Sequence, residues 1–114
     1  MALLHIPLDQ IDEDRLQALI DAGAAESRSI EYKRLTYGLA HADHSEFLAD
    51  ISSFANTIGG DLVIGMEAVD GIPTDFSSLN VAIDSEILRL EQIARTGLQP
   101  CIANIAFHPV PLVV

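Results

Sequence analysis

Between Glu26 and Gly65 the chain carries one strand-helix-strand pattern more legible than the rest: E-S-R-S-I-E-Y-K-R-L, a loop, then E-F-L-A-D-I-S-S-F-A-N-T-I-G-G-D-L-V-I-G. Phe47, Leu48, Ile51, Phe54, Ala55 and Ile58 recur at the spacing of a single buried helical face. Asp43 reads as the N-cap of that helix, with Glu46 three residues on as a capping-box variant. Asp50, Ser52, Ser53, Asn56 and Thr57 occupy the opposite, polar side. Gly59 and Gly60 then end the helix, because a glycine adopts the left-handed conformation that a helix C-terminus favours. Leu62, Val63, Ile64 and Met66 follow as an apolar run without alternation, which predicts a strand covered on both faces.

The preceding segment alternates. Ile30 and Tyr32 interleave with Glu31 and Lys33, so residues 29–35 read as a half-buried strand. Glu31 and Lys33 then project from one face, roughly 7 Å apart at the usual rise per residue.

The flanks supply support. Asp9 or Asp12 starts a helix that runs through Ile20 and stops at Gly23, with Leu16, Leu19 and Ile20 as its buried stripe. Residues 36–45 read as a loop holding His41, Asp43 and His44. Asp70-Gly71 is a tight-turn signal that reverses the chain into an extended piece through Ile72, and Pro73 to Asn80 reads as a polar loop. A second amphipathic helix begins near Ile83 or Asp84, with Ile83, Ile87, Leu90, Ile93, Ala94 and Leu98 on its apolar side and Arg89 and Arg95 on its solvated side. It stops before Pro100. Cys101 to Phe107 reads as a further strand, and the apolar ending Pro111-Leu-Val-Val as a strand at the edge of a longer protein. Alternating strand and helix signals imply an α/β or α+β two-layer fold, a mixed sheet of about four to six strands with two to three helices.

The 114 residues fit one domain. A hydrophobic fraction of 49% with only 5% aromatics implies an aliphatic core. No apolar run approaches the roughly 18 residues of a membrane span and no signal segment opens the chain, so a soluble, cytoplasmic protein is expected. Cys101 stands alone, which leaves no internal disulfide and excludes a multi-cysteine zinc site.

Charge constrains function. Seventeen acids against six bases give a net charge of −11, whereas a surface that grips phosphates usually carries a basic excess. Arg28, Lys33 and Arg34 nevertheless cluster beside Glu26 and Glu31, as a local basic site on an acidic body. Two chemistries fit these residue types. Carboxylates from adjacent strands can hold Mg²⁺ or Mn²⁺ against a phosphodiester and lower the pKa of an attacking water, with a lysine stabilising charge on the phosphate. Glu31-Tyr32-Lys33 has that acid-x-Lys form, although any exposed strand can alternate acid with base, and a structural reading has Glu31 capping backbone donors or pairing with Arg28 or Arg34. Asn56 and Thr57 before Gly59-Gly60 can present donors to a phosphate as an anion nest, or simply bond the helix end. The spacing is not that of a P-loop.

With these residues laid out, the chain resembles the Schlafen-type AlbA domain, a DNA-binding domain of bacterial transcriptional regulators. The likeness rests on E-S-R-S-I-E-Y-K at Glu26 to Lys33, S-S-F-A-N-T-I-G-G-D-L-V-I-G at Ser52 to Gly65, the turn at Asp70-Gly71, and Gln99-Pro100. It leaves residues 1–24 as an N-terminal helical extension and takes in residues 25–114. The resemblance implies an Alba-like fold, binding of nucleic acid (DNA first), pairing into homodimers, and attachment to a C-terminal ATPase-like or winged-helix region. In animal relatives a similar domain cleaves RNA with three acids, which implies Glu26, Glu31 and Glu67 as metal ligands, with Lys33 beside them. This chain follows Glu67 with Ala68, a departure from the family pattern, and Asp70 is a less well-placed substitute. Three readings follow: a nucleic-acid-binding module, with Arg28, Lys33, Arg34, Asn56 and Thr57 as contacts; a metal-dependent nuclease; and an interaction or dimerisation module.

Overall fold

A computed structural model describes residues 6–55, 59–79, 81–97 and 105–112. Among them are three α-helices and four strands, a mixed α+β fold. After a short 3₁₀ turn at Leu8–Gln10, helix α1 spans Glu13–Ala22. Asp12 caps it by accepting the Arg15 N–H at 3.0 Å, and Gly23 closes it in the left-handed conformation. Asp9 lies in the 3₁₀ turn, so Asp12 is the helix start.

Strand β1 is Ile30–Lys33 and strand β2 is Asp61–Ile64. They pair in parallel, Ile30 against Asp61 through Lys33 against Ile64. A parallel pair needs a crossover connection, and helix α2, His41–Ala55, provides it. The helix begins two residues before Asp43, so His41, Asp43 and His44 lie on its first turns and not in a loop. Asp43 still serves the helix start, in the other half of the capping arrangement. From the third position its carboxylate reaches back to accept the Ala40 N–H at 3.2 Å. Beyond the helix, Gly59 has a φ of +98°, and its N–H donates to the Phe54 carbonyl at 3.2 Å.

The run from Leu62 to Met66 is interrupted at Gly65, whose φ of +96° is left-handed. Strand β3, Met66–Val69, continues past the bend and pairs antiparallel with strand β4, Ile72–Phe76. The strand signal therefore belongs to two ladders, β1–β2 and β3–β4, joined by one bent segment. The Gly65 N–H donates to Lys33 O at 2.6 Å and Gly65 O accepts from the Ser77 N–H at 2.8 Å, which ties the bend to both partners. Asp70 and Gly71 form the turn with φ of 52° and 78°, the pair of positive values that a two-residue hairpin requires. The hairpin extends further than the sequence predicts. Pro73 lies within β4, buried, at the register shift between Glu67 and Ala68, where a missing N–H is tolerated.

Helix α3 spans Ile83–Gly97. The expected strand at Cys101 to Phe107 is not formed in its described part, since Ile105 to Phe107 has no ladder partner, nor does Pro111-Leu112. Cys101, Gln99-Pro100, Leu98 and Ile58 lie outside the described residues.

Two apolar clusters lie on either side of β1–β2. Ile11, Leu16, Leu19, Ile30, Tyr32 and Met66 form one, with Val63 against it. Tyr37, Phe47, Leu90 and Ala94 form the other, with Leu62, Ile64 and Ile51 against it. The alternation of β2 between clusters gives the covering on both faces that the unbroken run Leu62-Val63-Ile64 predicts. Glu31 and Lys33, alternating with Ile30 and Tyr32, fall on the second side, facing α2.

Candidate functional site

Two structural facts build the site. The first is the alternation of β1, which commits Ile30 and Tyr32 to the α1 side and leaves Glu31 and Lys33 half-buried. The second is the helical repeat of α2, which places Glu46 and Asp50 one turn apart on a common stripe. The Lys33 ammonium meets Glu46 Oε1 at 2.9 Å and lies 4.6 Å from the centre of the Tyr37 ring. Tyr37 is buried; its ring packs on Phe47 with centroids 5.0 Å apart, and its hydroxyl donates to Asp50 Oδ2 at 2.5 Å. Glu31, Lys33, Tyr37, Glu46 and Asp50 thus form one charged cluster between strand and helix.

The electrostatics are those of crowded acids. The Glu31 carboxyl is held above its ordinary value of 4.5, chiefly by burial, then by Asp50 and Glu26, with Lys33 opposing them. The Tyr37 hydroxyl is likewise pushed up, by burial first and then by the bond to Asp50. A raised carboxyl makes a testable contribution to stability. The favourable contribution of Glu31 is complete below its unfolded value near 4.5 and is lost as pH rises through the raised folded value. Glu31→Gln is therefore expected to stabilise the protein at pH 7 by under about 1 kcal/mol, with no gain at pH 4. Urea denaturation at the two pH values checks this, and an equal gain at both would rule out charge as the cause.

The acids singled out in the sequence are not gathered. Glu26 is engaged by backbone groups, its Oε2 accepting the Tyr32 N–H at 3.1 Å and its own N–H donating to Gly71 O at 2.7 Å, while its charge still acts on Glu31. Glu67 lies exposed on β3, opposite Asp75. Among the described residues no three His, Cys, Asp or Glu side chains are placed to hold one metal ion. Glu26, Glu31 and Glu67 thus belong to no such group. His41 and His44 belong to no such group either, and the buried His44 Nε2 has no hydrogen-bond partner among the described residues.

The bases are also separated. Arg28 and Arg34 are exposed just beyond the two ends of β1, and neither makes a hydrogen bond or ion pair among the described residues. Lys33, between them, is taken up by Glu46 and Tyr37. Arg89, expected in solvent, is not free. Its guanidinium bonds Glu86 Oε1 at 2.9 Å and Oε2 at 2.6 Å, Gly38 O at 3.1 Å, and Tyr37 O. Glu86 also accepts from the Thr36 hydroxyl, so this group ties the β1–α2 connection to α3. Arg95 does lie at the surface, 3.9 Å from Glu91. Asn56 and Thr57 lie outside the described residues.

Sequence reasoning missed Tyr37, Glu46 and Asp50 as members of the site. A signal existed in the acidic stripe Asp43, Glu46, Asp50 at helical spacing, beside a strand whose charged face must meet the crossover helix.

Fold and site together define a mixed α+β domain with a charged cluster beneath its crossover helix. Compared with family models, curated proteins and solved structures, the chain finds no match in any of the three. Among the described residues no helix is long and apolar enough to cross a membrane.

Proposed function

We propose that the chain is a nucleic-acid-binding module of a bacterial transcriptional regulator, touching phosphates through Arg28 and Arg34. The observation that carries this reading is the exposure of these two arginines at either end of β1, without internal acid partners among the described residues. An uncommitted guanidinium can offer its full fork of donors to a phosphate. The resemblance of Glu26 to Lys33 and of Ser52 to Gly65 to the Schlafen-type AlbA domain supports the same reading. So does the parallel β1–α2–β2 unit that those two blocks build. DNA is the first ligand to try, and attachment to an ATPase-like or winged-helix region belongs to the proposal. The net charge of −11 means that long-range attraction is absent and binding rests on local contacts.

The test is an anisotropy titration of labelled single- and double-stranded DNA and RNA from about 50 to 200 mM salt. Affinity is expected to fall as salt rises. Arg28→Ala and Arg34→Ala should each weaken binding across sequences and reduce the salt slope by about one. Salt-insensitive self-association without nucleic-acid binding would favour a dimerisation module instead. Divalent-dependent cleavage lost in Glu31→Gln would favour a nuclease.

A further inference from the structure

Lys33 is held by two contacts of unequal permanence. One is the Tyr37 ring, which is buried, packed on Phe47 and fixed through its hydroxyl to Asp50. The other is Glu46, whose side chain is 53% exposed against 24% for Lys33. A long glutamate at that exposure gains little from one partner and leaves it readily, because water competes for both charges. The tyrosine does not move with it. When Glu46 swings out, the partly exposed Lys33 ammonium remains on an aromatic face, with the charge of Glu31 still acting on it and its direct ion pair lost.

We propose that Glu46 is an autoinhibitory latch on Lys33, occupying the place that a phosphate oxygen takes when the module is engaged. This rests on the reading of the chain as a phosphate-contacting domain and adds regulation to it. Lys33 joins Arg28 and Arg34 only after Glu46 is displaced, so the pair sets a threshold against weak anions. The other acids of the cluster do not compete in the same way. Asp50 is occupied by the Tyr37 hydroxyl, and Glu31 lies on β1 itself, two residues from Lys33 on the same face, half-buried.

Glu46→Gln removes the latch and keeps its shape. Affinity for a single-stranded DNA oligonucleotide is expected to rise several-fold, beyond the rise produced by Glu91→Gln, an equal change of charge on α3. The gain must vanish in a Lys33→Met background, because a coupling between contacting residues disappears when one partner is absent. A gain that survives Lys33→Met, or that Glu91→Gln matches, overturns the latch and assigns the effect to general charge. A second probe separates the latch from the functional reading. Inorganic tripolyphosphate, followed through the Lys33 side-chain NMR signals, should perturb Glu46→Gln at lower concentration than the wild type. If oligonucleotides bind neither protein but tripolyphosphate shows this difference, the nucleic-acid reading fails and the latch stands. If neither anion reaches Lys33 in Glu46→Gln, the latch is wrong.

Discussion

Replacing Arg89 by alanine is expected to lower the stability of the protein by about 2–3 kcal/mol, more than an ordinary surface charge. The guanidinium satisfies the backbone carbonyls of Tyr37 and Gly38 and both oxygens of Glu86, from a side chain only 24% exposed. Its loss leaves the Glu86 carboxylate, 13% exposed, with Thr36 alone. Uncompensated, partly buried charge is the costly outcome. The pH dependence changes too. Arg89 holds the Glu86 carboxyl below its ordinary value of 4.5, so the stabilisation from Glu86 is complete above 4.5 and is lost as pH falls through the depressed value. In Arg89→Ala that acid-side loss should flatten. Arg89→Lys should recover part of the stability by keeping the charge without the planar fork. Denaturant midpoints at pH 7 and at a series of pH values from about 5 down to about 2 measure both effects. A change at pH 7 smaller than about 0.5 kcal/mol would falsify the clamp.

The second large effect is expected at Phe47. The side chain is 1% exposed, packs on the Tyr37 ring at 57° and belongs to the cluster with Leu90 and Ala94. Phe47→Ala removes the ring and leaves a cavity, at a cost of about 3–5 kcal/mol. That is a large share of the roughly 5–15 kcal/mol available to a domain of ordinary stability. The ring also supports Tyr37, on which Lys33 rests, so the Lys33 side-chain signals should broaden even where the variant remains folded. A variant with near wild-type melting and unaltered Lys33 signals would show that Tyr37 is held by Asp50 alone.

These two sites differ in how visible they are in the sequence. Phe47 declares itself through the spacing of Leu48, Ile51 and Phe54, because burial imposes a period on a helix. Leu16, Leu19 and Ile20 did so for α1, and Asp12 and Gly23 supplied its boundaries. Asp70-Gly71 fixed the hairpin, since only that turn chemistry suits two positive φ values. Arg89 leaves only half a trace: Glu86, three positions earlier, is a legible helical pair, but the Tyr37 and Gly38 carbonyls lie about fifty positions away, and carbonyls have no sequence identity. The same limit hid the cluster. Asp50 and Glu46 lie on a polar stripe, and polarity alone does not tell a solvated stripe from one that faces a charged strand. Pro73 concealed the length of β4, because proline normally argues against a strand and the bulge that admits it is a property of the pair. Gly65 concealed the opposite, a break inside an apolar run that reads as continuous.

That break has a consequence for how the chain reaches its native state. Val69 and Ile72 meet across a two-residue turn, so the β3–β4 hairpin closes locally, on the scale of about 1–10 μs. The β1–β2 ladder joins Ile30 to Asp61 and cannot close until the whole crossover helix has been gathered in. Because Gly65 links the two ladders through one covalent segment, the quick one can present β2 as an already oriented template to the slow one. The bend thus places a local pairing directly next to the long-range pairing that is hardest to find by chance.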